Sequence, residues 1–375
     1  MGGALQYNFH QAMTRPFHIH IGHHFFGTGN IGDDLMVAGF ITALKRHHLT
    51  FRLTCCCLGN LASQQHRFPE IEWLPYEMSI RREMIEQCDI WLGLGDSPFQ
   101  SEVGTWFLDH LVQETKFCRE YDKEMYFLGV GVNDAHALTY PQTQIILSAT
   151  SHLWARDESA ADALASVVPA RKISSGADLA HIYLESFRFP PREENAIGWV
   201  IHFENSDAFT VETLHQVIDA LPDRQMLWLP QEVRAIPGSE MLTWSQLAPS
   251  RQARLDLRVP AYTDATLEEL CRAWGRPAWL VSSRYHATLL GAWMGARTLV
   301  ITRNAKVRGA ANQFGLNFLP SFTSAEEILN GISSARVVSR GTLCLLTERA
   351  RQCCDEFLTL CRRYARRKLF SFLRT

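Results

Sequence analysis

The sequence predicts two Rossmann-like, doubly wound α/β domains with a cleft between them, and three observations carry that expectation. Strand-like and helix-like stretches alternate almost from end to end. A proline- and charge-rich break, ESFRFPPREENA at residues 185–196, interrupts the alternation once. The chain has 375 residues, 46% hydrophobic and 20% charged, which suits two ordinary globular cores.

In the first half, FHIHIG reads as a strand, followed by the loop GTGNIGDD and a helix to about Arg46. FRLTCCCLG and CDIWLGLG are the next strands, and GTWFLDHLVQETKFCREY is the helix after them. EMYFLGVGV, SHLWARD and KISSGAD are further strands, with helices near residues 141–149 and over ESAADALASV. Such alternation implies parallel βαβ units. After the break, AIGWVIHF, QMLWLPQ, ARLDLRV, PAWLVSS and ARTLVIT are strands. TVETLHQVIDAL, TLEELCRAW and RYHATLLGAWMG are helices, and residues 324–375 read as mostly helical. The boundaries are therefore 1–185 for an N-terminal domain, 186–195 for a linker, 196–340 for a C-terminal domain and 341–375 for a helical segment with a basic amphipathic end.

A formal net charge of −2 excludes a globally basic nucleic-acid binder. No apolar run approaches the roughly 20 residues of a membrane span. The start, MGGALQYNFHQAMTRPF, lacks a basic-then-apolar signal layout. Ten cysteines occur without a C-x-x-C pair, so they are expected as buried, reduced thiols of a cytoplasmic protein. His18 and His20 share a strand face, but no third ligand stands near them and no metal is expected.

The loop GTGNIGDD spells a dinucleotide fingerprint with Gly27, Gly29 and Gly32. Its context is wrong for one. His23, His24, Phe25 and Phe26 separate the strand from the first glycine, and the second strand ends Cys57-Leu58-Gly59 with no acid for a ribose. The loop instead suits a polar ligand at a helix start, with Asp33 and Asp34 as caps and Asp33 in reach of a substrate hydroxyl.

A cationic edge faces it. In WLVSSRYHATLLGAWMGARTLVITRNAK, Ser283 as N-cap places Arg284 and His286 in a first helical turn after a strand. Arg303 and Lys306 follow the next strand, and Arg156 follows SHLWA in the first domain. Arginine suits a carboxylate and lysine a phosphate, so a small polyanionic substrate is implied.

The successive blocks GNIGDDLM, GLGDSPFQ, FLGVGVN, WARDESAADAL, GAD and SSRYHATLLGAWMGARTLVITRNAK resemble those of the polysaccharide pyruvyl transferase family, in order across residues 18–320. The resemblance implies a GT-B-type arrangement, phosphoenolpyruvate as co-substrate in place of any cofactor, and a glycan acceptor, free or lipid-linked, that gains a pyruvate ketal in polysaccharide or cell-envelope synthesis. It implies a donor site at Arg156, His286 and Lys306 with Arg284 beside them. Asn30, Gly32, Asp33 and Asp96 then form the acceptor side. The second block departs from a run of glycines, carrying Leu92, Leu94 and Asp96 around Gly93 and Gly95, and Tyr285 replaces the commoner leucine.

On this reading His286 is the acid that protonates the enol carbon, Arg284 assists, and Asp33 or Asp96 accepts the hydroxyl proton. Two alternatives use the same fold. A nucleotide-sugar glycosyltransferase needs a ribose-gripping carboxylate after WLVSS, where Arg-Tyr-His stands instead. A catalytically inactive glycan-binding relative would have lost the reaction. The basic end, residues 361–375, is read either as a peripheral contact with the inner face of the membrane or as a packed helix with a solvated face.

Overall fold

The computed structural model describes residues 16–22, 26–47, 51–100, 104–201, 210–259, 261–302, 304–321 and 323–372, with backbone alone at 366 and 368–372. The first sheet contains β1 (Phe17–Ile21), β2 (Phe51–Cys57), β3 (Ile71–Pro75), β4 (Ile90–Leu94), β5 (Glu124–Val130), β6 (Thr150–Ala155) and β7 (Ile173–Ser175). Its order is β3-β2-β1-β4-β5-β6-β7, with every pairing parallel. The second contains β8 (Glu193–Val200), β9 (Gln225–Trp228), β10 (Leu255–Leu257), β11 (Pro277–Ser282), β12 (Arg297–Thr302) and β13 (Asn317–Pro320). Its order is β10-β9-β8-β11-β12-β13, again parallel. In each sheet the order reverses once, at β1/β4 and at β8/β11, which opens a crevice at the carboxyl ends of those strands.

Strands covered by helices on both faces are apolar throughout, as in the wholly buried IWLGL of β4. Among the exceptions is β1, where His18 and His20 are buried and both bond Thr54 Oγ1 of β2 at 2.9 Å. No group of three metal-ligating side chains gathers among the described residues.

Two strands go beyond the sequence reading. β3 is an edge strand with Glu72 exposed and Pro75 at its end, and β13 has only four residues. Both are too short and mixed for alternation to mark them. β8 starts at Glu193, inside the expected linker.

The Arg340–Phe372 helix returns to the first domain. Cys353, Cys354, Phe357, Leu358 and Cys361 are buried there, and the Phe357 ring meets Phe40, Tyr126 and Trp154. Trp154 Nε1 donates to Glu356 at 2.8 Å. Residues 353–361, within the segment set apart at 341–375, thus pack against the first domain. Arg362, Arg363 and Arg367 stay exposed. No helix among the described residues is long and apolar enough to cross a membrane. All ten cysteines are free thiols and only Cys344 is exposed. Burial pushes Cys56 up to about 12 and Cys57 to about 11, which leaves them unreactive.

Candidate active site between the two sheets

Loops leaving the carboxyl ends of β1, β4, β6, β7, β11 and β12 converge between the sheets and bring Asp33, Asp96, Arg156, Asp178, His286 and Lys306 to one region. Local capping sets each in place. Asn30 caps the Ile31–Arg46 helix, with Asp33 in its first turn. Asp157 caps the Glu158–Ala165 helix, leaving Arg156 just ahead of it. Asn304 caps the Ala305–Phe314 helix, which carries Lys306. The N-cap of the Tyr285–Met294 helix is Arg284, not Ser283 as expected: Ser283 Oγ donates to the Val200 carbonyl at 3.3 Å, while Ser282 Oγ accepts from Arg284 N–H at 3.1 Å.

Asp178 is the hub. Its Oδ2 accepts from His286 Nε2 at 3.2 Å and lies 3.8 Å from Arg156 Nη1. Burial works to raise this carboxyl, but His286, Arg156 and the Ala180 N–H outweigh burial and hold it at about 2. For His286, burial acts first and lowers its pKa; Asp178 opposes, and Lys306 and Arg156 push it lower again. The net direction is below the ordinary histidine value, so the resting imidazole is neutral at pH 7. With Nε2–H on Asp178, a tautomer assigned from its partner, Nδ1 is the nitrogen left for chemistry. A Cβ on Gly32 would overlap Nδ1, so glycine is what lets the loop approach this edge of the ring.

Arg156 is fully buried with its Cζ 4.0 Å from the Tyr285 ring centroid. Its Nη2 donates to Ser97 Oγ at 3.3 Å, while Nε and Nη1 have no hydrogen-bond partner among the described residues. The nearest carboxylates, Asp157 at 3.7 Å and Asp178 at 3.8 Å, attract the charge but are too far to accept those hydrogens. Each unmade bond of a buried polar group costs about 1–3 kcal/mol, a cost that a bound anion would relieve.

Lys306 Nζ stands 3.6 Å from Asp96 Oδ1. Asp96 holds a left-handed φ of 55°, following Gly95 at 67°, and its carbonyl accepts from Gly131 N–H at 2.6 Å. A non-glycine residue in that conformation costs about 1 kcal/mol and marks a constrained turn. Asp33 is 5% exposed, and its carboxyl makes no hydrogen bond or ion pair among the described residues. Burial first, then Asp96 and Asp34, push its pKa well up, with Lys306 only partly opposing.

Not every expected residue joins this cluster. The Arg284 guanidinium is engaged by Glu240 Oε1 at 2.5 Å and the Gly238 carbonyl at 2.6 Å. Asn30 Oδ1 is occupied by Gly32 N–H at 3.0 Å and Gln231 Nε2 at 2.9 Å. Gln231 Oε1 in turn accepts from Ala287 N–H at 3.0 Å, tying the loop to the helix of His286. Backbone bonds Ile31 N–H to Gln231 O and Val233 N–H to Gly29 O complete the join across the domains. Arg303 lies outside the described residues.

Sequence reasoning passed over Asp178, Gln231 and His181. His181 packs behind Asp178, accepts from Trp293 Nε1 at 3.0 Å, and is lowered to about 4, mainly by burial. Only Asp178 left a signal, as the acid closing GAD after a short strand.

A family model described as polysaccharide pyruvyl transferase matches residues 30–305, most of the chain. Among curated proteins none matches the sequence. UDP-N-acetylglucosamine 2-epimerases share the fold. That of Rickettsia bellii superposes with a TM-score of 0.62 at 11% identity, covering 94% of this chain and 97% of that one. The Neisseria meningitidis protein, solved bound to UDP-GlcNAc, gives 0.62 at 10% identity over 92% and 100%. A glycosyltransferase from Rickettsia africae gives 0.52 at 13% identity over 96% and 99%. Identities so low establish the two-domain GT-B architecture alone. The family match begins at Asn30 and ends at Ala305, enclosing Asp33, Asp96, Arg156, Asp178 and His286, and the chain belongs to the polysaccharide pyruvyl transferase family.

Proposed function

We propose that the protein transfers pyruvate from phosphoenolpyruvate to a glycan, closing a ketal across two hydroxyls and releasing phosphate. The observation that carries this reading is the buried Asp178 hub, which gathers His286 and an incompletely bonded Arg156 beside Lys306. Arg156 offers its fork to the donor carboxylate and Lys306 its point charge to the phosphate. The donor's negative charges bring a proton to His286, and the imidazolium delivers it to the methylene carbon. A glycan hydroxyl adds at the adjacent carbon and yields its proton to Asp33, beside Asp96. The phosphate then leaves as the second hydroxyl closes the ring, and its departing oxygen carries off that hydroxyl's proton. Preorganised cations stabilise the charge that redistributes on this path, and no step calls for a bound cofactor. Arg284, held by Glu240, supports the start of the His286 helix.

The test is incubation with phosphoenolpyruvate and lipid-linked or nitrophenyl glycosides, followed by product mass and phosphate release. No phosphate release across that set, with no thermal stabilisation by phosphoenolpyruvate, would defeat the proposal. A second reading, a sugar-nucleotide enzyme, is favoured by the neighbour solved with UDP-GlcNAc. Stabilisation by UDP-sugars and not by phosphoenolpyruvate decides for it.

A cytoplasmic setting fits the buried free thiols. The basic strip of Arg362, Arg363 and Arg367 flanks Tyr364, which packs on Phe17 at the amino end of β1, away from the cluster. Vesicle co-sedimentation with and without residues 361–375 separates a contact with the inner membrane face from a solvated strip.

A further inference from the structure

Beside the cluster runs a groove of about 710 Å³, within the range of ligand sites, walled by three helices that belong to both domains. Its walls are the start of the Glu158–Ala165 helix, one face of the Ala305–Phe314 helix and the first turns of the Arg340–Phe372 helix. On the middle wall, Val307, Ala310, Ala311 and Phe314 face the core. Ala305, Arg308, Gly309, Asn312 and Gln313 recur at helical spacing on the opposite face and line the groove.

We infer that this groove seats the sugar units of an oligosaccharide acceptor that flank the one being modified. The inference rests on the proposed pyruvyl transfer and names the acceptor as a chain rather than a single sugar.

Charge is the first argument. Asp157, Glu158 and Asp162 stand against Arg308 and Arg349, and Arg349 is tied to Glu158 at 3.1 Å. With no cationic excess, the walls do not suit a nucleic acid or another polyanion. They suit neutral rings whose hydroxyls both donate and accept, because carboxylate, amide, guanidinium and hydroxyl groups stand side by side. Leu345, 55% exposed at the rim, offers an apolar surface to the C–H face of a sugar.

The second argument is an unmet need. Gln313 lines the groove, and its Oε1 is buried with no donor among the described residues, so a rotation of the side-chain amide toward the groove would let a ligand hydroxyl satisfy it. Gly309 sits inside a helix, where glycine costs up to about 1 kcal/mol relative to alanine. Packing does not demand it, since a Cβ there would meet nothing within 4 Å. Its effect is to leave the helix backbone bare toward the groove.

Continuity is the third. Asp157 lines the groove and lies 3.7 Å from Arg156 Nε, and Ala305 precedes Lys306. A chain lying in the groove therefore runs up to the residues assigned to the donor.

The probe is a panel of neutral di- to hexasaccharides of glucose, galactose, mannose and N-acetylhexosamines, with their monosaccharides, measured by saturation-transfer NMR on the full chain. At least one oligomer is expected to bind about tenfold more tightly than its monomer. Gly309→Trp, which fills the groove, is expected to erase that difference, and Gln313→Ala, which trims one contact and keeps the helix, to weaken it. Equal binding of monomers and oligomers, no oligomer bound, or oligomer binding untouched by both variants would overturn the groove. Phosphoenolpyruvate stabilisation serves as the separate readout. If the variants keep it but lose oligomer binding, groove and donor site are distinct as inferred. Oligomer binding without any response to phosphoenolpyruvate sinks the donor reading and leaves the groove as a glycan site.

Discussion

A histidine buried between two cations holds its proton weakly, and an anion arriving beside it reverses that balance. In the free protein, burial and then the charges of Lys306 and Arg156 outweigh Asp178 and keep the His286 pKa low. On the proposed reading, phosphoenolpyruvate would neutralise both cations and add its own negative charge, so the bound pKa would rise. Binding must then take up a proton near neutral pH, and affinity must increase as pH falls through the histidine range. Calorimetry in buffers of different ionisation enthalpy measures the uptake; a value of zero removes His286 from the acid role. His286→Ala is expected to slow turnover about 10²- to 10⁴-fold. Gly32→Ala tests the geometry instead, since the new methyl would displace the ring at Nδ1. We expect a large loss of kcat together with a destabilisation of about 1–3 kcal/mol from the buried overlap, and an undiminished kcat would show that Nδ1 is not the working nitrogen. Arg156, His286 and Lys306 could be picked out of the sequence as candidates because each is polar and stands where a strand passes into a helix. The engagement of Arg284 could not, because Glu240 lies far along the chain and only folding brings the two together.

At the scale of the element, the long C-terminal helix is the piece whose position the sequence left open. Its buried face is formed by Cys353, Cys354, Phe357, Leu358 and Cys361, and a helical pattern in the sequence does not say which surface such a face meets. The structure lays it on the first domain, where Phe357 is fully buried among Phe40, Tyr126 and Trp154. Phe357→Ala is therefore expected to cost about 3–5 kcal/mol, read as a lower denaturant midpoint at unchanged slope. A loss below about 1 kcal/mol would mean the helix is not docked as described. β3 and β13 escaped notice for the converse reason. An edge strand gains its place from one hydrogen-bonded neighbour, and four or five residues with a proline or a charge carry no period of their own.

For the whole molecule, the question is whether the two domains behave as one body. A single apolar cluster contains Ile31 and Leu35 of the first domain together with Leu289 and Trp293 of the second. The buried carboxylate of Asp34 bonds Arg67 at 2.9 Å and Tyr262 at 2.7 Å, and Arg67 also donates to the Tyr262 and Ala265 carbonyls of the second domain. Thermal unfolding is thus expected as one calorimetric transition, and two separated transitions would refute a shared core. Arg67→Ala leaves Asp34 buried without its cation and is expected to cost about 3–5 kcal/mol. Its pH dependence follows from sign. Burial already raises the Asp34 pKa, and Arg67 is the largest influence opposing that rise. Removing Arg67 lifts the folded-state pKa further above the unfolded one, so the folded variant binds a proton more readily than the unfolded chain. The penalty is then full above the folded pKa and shrinks as pH falls through it toward the unfolded value. Denaturation of Arg67→Ala beside the parent at neutral and mildly acidic pH measures that narrowing. A deficit that stays constant across the range would mean that the uncompensated charge of Asp34 is not what the variant loses.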